Sequence, residues 1–326
     1  MSRTVTVGVP ASTSNLGAGF DCIGVAVERW INVTATLASG TRGFTIARHG
    51  TLASLTLDAN DDRLVAGFRA ACRRGRHELP DAVAFDATSN IPVGRGLGSS
   101  ASATLAGALA ADALLGLGLT DRAIAIACAE VEGHPDNVVP SLFGGARLAL
   151  TGADGSLLVA PLHLHESLAL VFAIPDFAVE TAHARAVLPP TVPHSTATRA
   201  AALGAALVQG LATANEGLLA SALADVLHVP FRRGLVDGYD AVTRAARRAG
   251  AFGATLSGSG STILAIAPTE SAANVGAGMV AAWKALRVNA EALVNPPRVA
   301  GATVEAGSTV QAPSSAARPR EVSART

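Results

Sequence analysis

Ile91-Pro-Val-Gly-Arg-Gly-Leu-Gly-Ser-Ser-Ala-Ser102 lies between two segments of different periodicity. Before it, Ala82–Thr88 alternates and predicts a strand; after it, Ala101–Leu115 is rich in Ala and Leu and predicts a helix. The order is strand, glycine-rich turn, then a helix opened by serines. Gly94, Gly96 and Gly98 let the backbone take positive φ and approach a ligand closely. The helix start behind them offers unpaired N–H groups and the positive end of the macrodipole. The stretch reads as a phosphate cradle, or as an ordinary glycine turn with Ser99 as N-cap. It is not a Walker A loop, because no Gly-Lys-Ser/Thr follows and Lys284 is the only lysine in the chain. Nor does its spacing match the dinucleotide G-x-G-x-x-G.

Working outward, the 326 residues suffice for two domains sharing an interface. Apolar residues make up 49%, charged residues 15%, and the formal net charge is zero, which excludes both a disordered chain and a basic nucleic-acid binder. No run approaches the length of a membrane span, and Met1-Ser-Arg-Thr-Val-Thr6 enters a strand pattern without a signal peptide's apolar core. Cys22, Cys72 and Cys128 are widely spaced and form no CxxC, against zinc or a disulfide framework. The expectation is a soluble cytoplasmic protein with no nucleic-acid or membrane partner.

Further strands are expected over Thr4–Pro10, Cys22–Leu37, Phe44–Ala47 and Leu55–Leu57, with a polar loop over Ala11–Asp21. Asp61–Arg74 suits a helix, and Thr120 caps another that runs to Val131 with Gly133 past its end. Ala146–Leu150 and Leu157–Ala160 form a hairpin pattern, and Leu168–Ile174 reads as a buried strand. Helices are expected over about 195–227, Tyr239–Arg248 and Ser271–Leu286, with Ala254–Leu256 and Thr262–Ala267 as strands around Ser257-Gly-Ser-Gly-Ser261. From about Pro296 apolar periodicity ends, so residues 296–326 are expected to be a disordered tail. The expected division is an N-terminal domain over 1–155 and a C-terminal domain over 156–295.

Four loops, Pro10–Gly24, Ile91–Ser102, Glu130–Asn137 and Ser257–Ser261, together resemble the GHMP kinases, a superfamily that includes galactokinase, homoserine kinase and mevalonate kinase. Within it, Pro10-Ala-Ser-Thr-Ser-Asn-Leu-Gly-Ala-Gly-Phe-Asp-Cys-Ile-Gly24 and Glu132-Gly-His-Pro-Asp-Asn137 resemble the homoserine kinases most. The resemblance spans about residues 4–290. It implies an α+β fold of two domains, the first ribosomal-protein-S5-like and the second ferredoxin-like, with the active site between them. The implied reaction is phosphorylation of the L-homoserine hydroxyl by ATP with Mg²⁺, a step toward threonine; a homodimer is left open.

The resemblance also implies site residues. Pro92, Val93, Gly94, Arg95, Gly96, Leu97, Gly98, Ser99, Ser100, Ala101 and Ser102 look like the ATP loop, and Gly258 and Gly260 belong to a turn packed against it. Homoserine is a zwitterion with a primary alcohol, so its site needs an anion and a cation. Asp21 with Asn15 is similar to the family's amino-group contact; Arg185 and Arg232 look like the carboxylate clamp, with Thr181 nearby. Arg233 competes with Arg232 for that role. Glu130 resembles the acidic position that holds Mg²⁺, together with the hydroxyl of Ser99 or Ser100, and Glu132 competes with it. His134 reads as a substrate-side hydrogen-bond donor. Asn137 stands where several relatives place a catalytic Asp, and an amide is no useful base, so phosphoryl transfer here leans on positioning. Two departures are Ser261, where the family commonly has Pro, and Arg63, where relatives usually have an Asn that contacts adenine. The rival readings are another GHMP kinase, for which Asp21, Arg185 and Arg232 would be superfluous, and a catalytically silent ligand-binding relative.

Overall fold

The structure is a computed structural model that describes residues 3–38 and 42–306. Strands β1 (Thr4–Asn15), β2 (Gly19–Leu37), β3 (Gly43–Gly50), helix α1 (Arg63–Arg74), β4 (Ala82–Ser89), α2 (Ser99–Leu115), α3 (Asp121–Glu132), α4 (Val138–Phe143), β5 (Ala146–Thr151) and β6 (Leu157–Pro161) come first. Then follow β7 (Leu168–Pro175), α5 (Thr181–Ala186), α6 (His194–Thr213), α7 (Glu216–Ala222), α8 (Val229–Arg232), α9 (Tyr239–Arg248), β8 (Gly253–Leu256), β9 (Ile263–Pro268), α10 (Ala272–Ala285), β10 (Ala290–Val294) and β11 (Thr303–Ala306).

Two sheets organise these elements. The first runs β11-β1-β2-β4-β3, with the β5–β6 hairpin attached to β2; the second runs β10-β7-β9-β8. The alternation over Ala82–Thr88 becomes β4, which pairs antiparallel with β2 and parallel with β3. The continuous apolar run at 168–174 becomes β7, whose eight residues are all buried. One of its faces meets the main core through Leu168, Leu170, Phe172 and Ile174. The other carries Val171 and Ala173 into a smaller core with Met279 and Trp283 of α10. In α9, Val242, Ala245 and Ala246 form the buried stripe that a helix laid on a sheet requires.

Helices α1 and α2 lie backbone against backbone. A Cβ on Gly67 would fall 1.8 Å from the Thr104 carbonyl, and one on Gly107 would fall 1.9 Å from that of Leu64. This reciprocal contact, which only glycine permits, seats α2 and aims its N-terminus. Asp62 caps α1 by accepting from Leu64 N–H, and Thr120 caps α3 by accepting from Ala123 N–H.

The structure corrects five expectations. Strand β1 continues to Asn15 and β2 begins at Gly19, so the polar loop expected over Ala11–Asp21 is three residues long. Its polar residues are strand residues that pair across to β2 while pointing buried hydroxyls at other loops. Leu55–Leu57 is not a strand, and the helical stretch at 195–227 is broken into α6 and α7. A domain boundary at 155/156 would cut the β5–β6 hairpin, because β6 pairs with β5 in the first sheet. Of the expected tail, residues 307–326 lie outside the described residues, whereas 296–306 return to the first sheet. There β11 pairs antiparallel with β1 from Val5↔Ala306 to Gly8↔Thr303, and Val299 is buried. The Val299 carbonyl accepts from Gly145 N–H at 3.0 Å, and Ala302 N–H donates to Ser141 O at 3.0 Å. A four-residue edge strand carries too little pattern to stand out; its partner supplies the order.

A chain ending at Arg298 should therefore be less stable than the full chain by at least about 2 kcal/mol, from the lost ladder and the lost Val299 burial. Thermal and urea denaturation read this, and coincident midpoints for the two chains would show that β11 contributes nothing.

Candidate active site

A cleft of about 390 Å³ lies where the 93–101 loop, the end of β1, the start of β2, α5, α8 and the 257–260 turn converge. Gly98 is the N-cap of α2 with φ 66°, and no side chain caps the helix. Ser99 thus does not act as a cap, and the first-turn N–H groups face the cleft free to meet an anion. The loop is held from behind. Ser257 Oγ donates to Gly96 O at 2.6 Å and Ser12 N–H to Leu97 O at 3.2 Å, while Gly258 N–H to Ser14 O at 3.1 Å ties the 257–260 turn to β1. A Cβ on Gly96 would fall 2.1 Å from the Ser257 carbonyl, so glycine is needed there for close approach as well as for φ 72°.

Beside the helix start, Glu132 accepts from Ser100 Oγ at 2.9 Å and from Thr104 Oγ1 at 2.7 Å, with Arg63 Nη1 at 3.7 Å. Its side chain is 7% exposed. The expectation placed Glu130 here, and the geometry overturns it. Glu130 is 68% exposed, sits 3.8 Å from Arg74, and lines a separate smaller cavity instead of this cleft. The two are about 200° apart on α3, and Cys128 and Ile124, buried one and two turns earlier, set the inward face that Glu132 continues. Elsewhere the lining is apolar, with Ile31, Leu52, Leu55, Leu57 and Leu64, and includes a pair in which Arg48 Nη2 meets Asp62 Oδ2 at 2.7 Å.

The remaining wall carries the charges. Arg185 of α5 meets Asp21 through two bonds, Nη2–Oδ1 at 2.9 Å and Nη1–Oδ2 at 3.2 Å. The bond to Asp21 raises the Arg185 pKa further above its ordinary value, against partial burial. Asp21 has φ 56° and its N–H donates to Asn15 Oδ1 at 3.0 Å, while Asn15 Nδ2 donates to Gly258 O.

Arg232 is 2% exposed. Its Nε donates to Ala184 O at 2.8 Å, its Nη1 lies 3.4 Å from His228 Nδ1, and its guanidinium stands 5.2 Å over the Phe20 ring. Burial presses the Arg232 pKa down, and the neighbouring Arg185 charge adds to this. Burial likewise lowers the pKa of His228 and keeps it neutral, so that it can accept from Arg232 while its Nε2 bonds Gly17 O. Arg233, the competing residue, is exposed and 3.6 Å from Asp240.

His134 Nδ1 bonds Asp136 Oδ1 at 2.5 Å. Burial opposes protonation of His134, but the bond and charge of Asp136 outweigh it and hold its pKa above the ordinary histidine value. The Asn137 amide is fully engaged. Its Oδ1 accepts from Ser12 Oγ at 3.0 Å, and its Nδ2 donates to Ser14 Oγ at 3.1 Å and Asp136 Oδ1 at 3.2 Å.

The cleft brings together Asn15, Asp21, Val93, Gly94, Arg95, Gly96, Leu97, Gly98, Ser99, Ser100, Ala101, His134, Asn137, Thr181, Arg185, Arg232 and Gly258. Pro92, Ser102 and Gly260 do not line it; the Ser102 hydroxyl turns inward to Pro10 O at 2.9 Å. The Arg95 side chain bonds the Pro175 carbonyl. Sequence reasoning passed over Asp136, Arg48 and Asp62, all of which line the cleft. Asp136 lay inside a quoted motif, whereas nothing local marks Arg48.

The description "GHMP kinases N terminal domain" matches residues 63–145, and "GHMP kinases C terminal" matches 203–285. The chain is 40% identical to a homoserine kinase of Microchaete diplosiphon over 88% of this chain and 93% of that one. It is also 40% identical to a homoserine kinase of Gloeobacter violaceus over 85% of this chain and 92% of that one. The crystal structure of homoserine kinase from Cytophaga hutchinsonii superposes with a TM-score of 0.82 at 29% identity, covering 93% of this chain and 97% of that one. With both halves of the chain matched, this protein belongs to the homoserine kinases of the GHMP kinase family.

Proposed function

We propose that the protein transfers the γ-phosphoryl group of ATP to the hydroxyl of L-homoserine, giving ADP and O-phospho-L-homoserine. One observation carries this reading: a glycine-loop helix N-terminus and an Asp21, Arg185 and Arg232 set share a single cleft. The α2 N–H groups receive the phosphates, and the apolar lining around Leu52, Leu55 and Leu64 suits a base. Asp21 takes the ammonium, and Arg232 with Arg185 takes the carboxylate. Asn15 sets the Asp21 backbone, and Thr181, 3.4 Å from Ser259, closes the rim.

In the transfer, a bond forms between the homoserine oxygen and the γ-phosphorus as the bond from that phosphorus to the ADP oxygen breaks. The hydroxyl proton leaves late, to an oxygen of the transferred group. Asn137 cannot take it, since an amide is no useful base; its bonds to Ser12, Ser14 and Asp136 fix those groups around the reacting centre. Glu132 and the Ser100 hydroxyl form a hard-oxygen donor set of the kind that Mg²⁺ takes alongside phosphate and water, so the residues fit that ion. When bound, Mg²⁺ supplies neutralising charge to the phosphates.

A coupled ADP-release assay tests the reading against L-homoserine, mevalonate and a panel of sugars. Turnover confined to homoserine is expected. Preference for another alcohol, or no turnover at all, would move the protein to one of the rival readings.

A further inference from the structure

The two charges proposed to recognise homoserine are not waiting apart. Asp21 and Arg185 form a two-bond ion pair with each other, at 2.9 and 3.2 Å, on a wall of the cleft. Both side chains are a little over a third exposed, 36% and 38%, so ligand and solvent reach them. Arg232 is the reverse case. It is buried, its only acceptors are a carbonyl and a neutral imidazole, and among the described residues no carboxylate lies within ion-pair distance of it. A buried cation lining a cleft without a counter-charge invites an anion.

We infer that homoserine enters by ion-pair exchange: its ammonium displaces Arg185 from Asp21, and its carboxylate replaces Asp21 as the partner of Arg185 while also neutralising Arg232. This rests on the proposed function, and it adds a rule of selection which a pair of separate charged pockets would lack. Opening the Asp21–Arg185 pair strands one anion and one cation. A ligand carrying both charges on one carbon satisfies both at once, with no net change in the charge of the cleft. A ligand with only a carboxylate leaves Asp21 unpaired, and one with only an ammonium leaves Arg185 unpaired. The protein's own pair therefore competes with every ligand that is not a zwitterion. Asp136, which is buried and bonded by His134 and Asn137, adds negative charge behind Arg185 and Arg232 but does not pair with either.

The exchange predicts effects of opposite sign in one variant. In Asp21→Asn, Arg185 loses its internal partner. Asparagine tolerates the positive φ of position 21, and the N–H bond to Asn15 is kept. Calorimetry should show homoserine binding weakened about 10- to 100-fold, for a lost charged hydrogen bond. It should also show 4-hydroxybutyrate, which lacks the ammonium, binding about 3- to 5-fold more tightly than to the wild type, since a partly exposed pair no longer competes. The reciprocal variant, Arg185→Gln, should weaken homoserine and strengthen 3-aminopropan-1-ol, which lacks the carboxylate. Circular dichroism checks that each variant is folded. If homoserine binds the wild type while neither analogue gains in its variant, the pair stays closed and the exchange is wrong, with the functional reading intact. If the wild type binds no homoserine, both fall.

Discussion

Replacing Glu132 with glutamine should lower kcat by about 10²-fold and raise the Mg²⁺ concentration needed for half-maximal rate, while Glu130→Gln stays within about twofold of wild type. The amide can keep accepting from Ser100 and Thr104, so the fold of the helix start survives and the charge alone is removed. That charge sits at the open N-terminus of α2, where phosphates and their cation are expected to gather, and it is screened from water by burial. Glu130, exposed beside Arg74, has no such position, and a surface pair of that kind contributes little. Steady-state kinetics across a Mg²⁺ titration separates the two. Equal losses, or a larger loss at Glu130, would show that the cleft geometry misassigns the carboxylate.

Gly96→Ala should cost about 2–4 kcal/mol of stability and reduce kcat/KM by at least about 100-fold. Two costs combine there. An L-residue at φ 72° is strained, and the new methyl would sit 2.1 Å from the Ser257 carbonyl and 2.8 Å from that of Gly260. Those neighbours are backbone, so they cannot rotate away; either the loop lifts or the 257–260 turn retreats, and each displaces the donors at the start of α2. Gly94→Ala is the control. Its φ of 70° brings the same strain, but the added methyl meets only the Ala178 methyl at 3.0 Å. Denaturation midpoints and nucleotide affinity should therefore fall far less in Gly94→Ala than in Gly96→Ala. Matching losses would mean that positive φ, and not the packing of the two loops, is what position 96 requires.

Selectivity in this cleft follows from charges that are distant in sequence. Asp21 lies on β2 and Arg185 on α5, 164 residues apart, and they meet only because the fold brings α5 beside the start of β2. Arg232 points inward because the His228 ring, itself stacked 4.9 Å from Phe20 and bonded to Gly17 O, holds its guanidinium over the same ring. The neighbour Arg233 carries the same charge one residue on and ends in solvent.

The sequence by itself determined what depends on local chemistry. Glycines at 94, 96 and 98 all adopt positive φ, and the serines that follow open α2 as their position implies. Thr120 and Gly133 bound α3 where a cap and a left-handed stop should stand. The apolar run at 168–174 is buried because nothing in it could face water. The four motif loops, which carried the resemblance, do converge.

The tertiary structure alone decided which face each element turns inward. On α3, Ile124 and Cys128 lead to Glu132 while Ile126 leads to Glu130, and both stripes are apolar in the sequence. Only packing against α2 fixes the rotation, because a helix presents every side and its neighbour chooses one. The same holds for Thr303–Ala306: a short edge strand has no stable conformation of its own, and it is ordered by the hydrogen-bonding edge that β1 leaves open. Ion pairs across 164 residues lie furthest beyond local reading, since charge acts through space and the chain's path determines which charges meet.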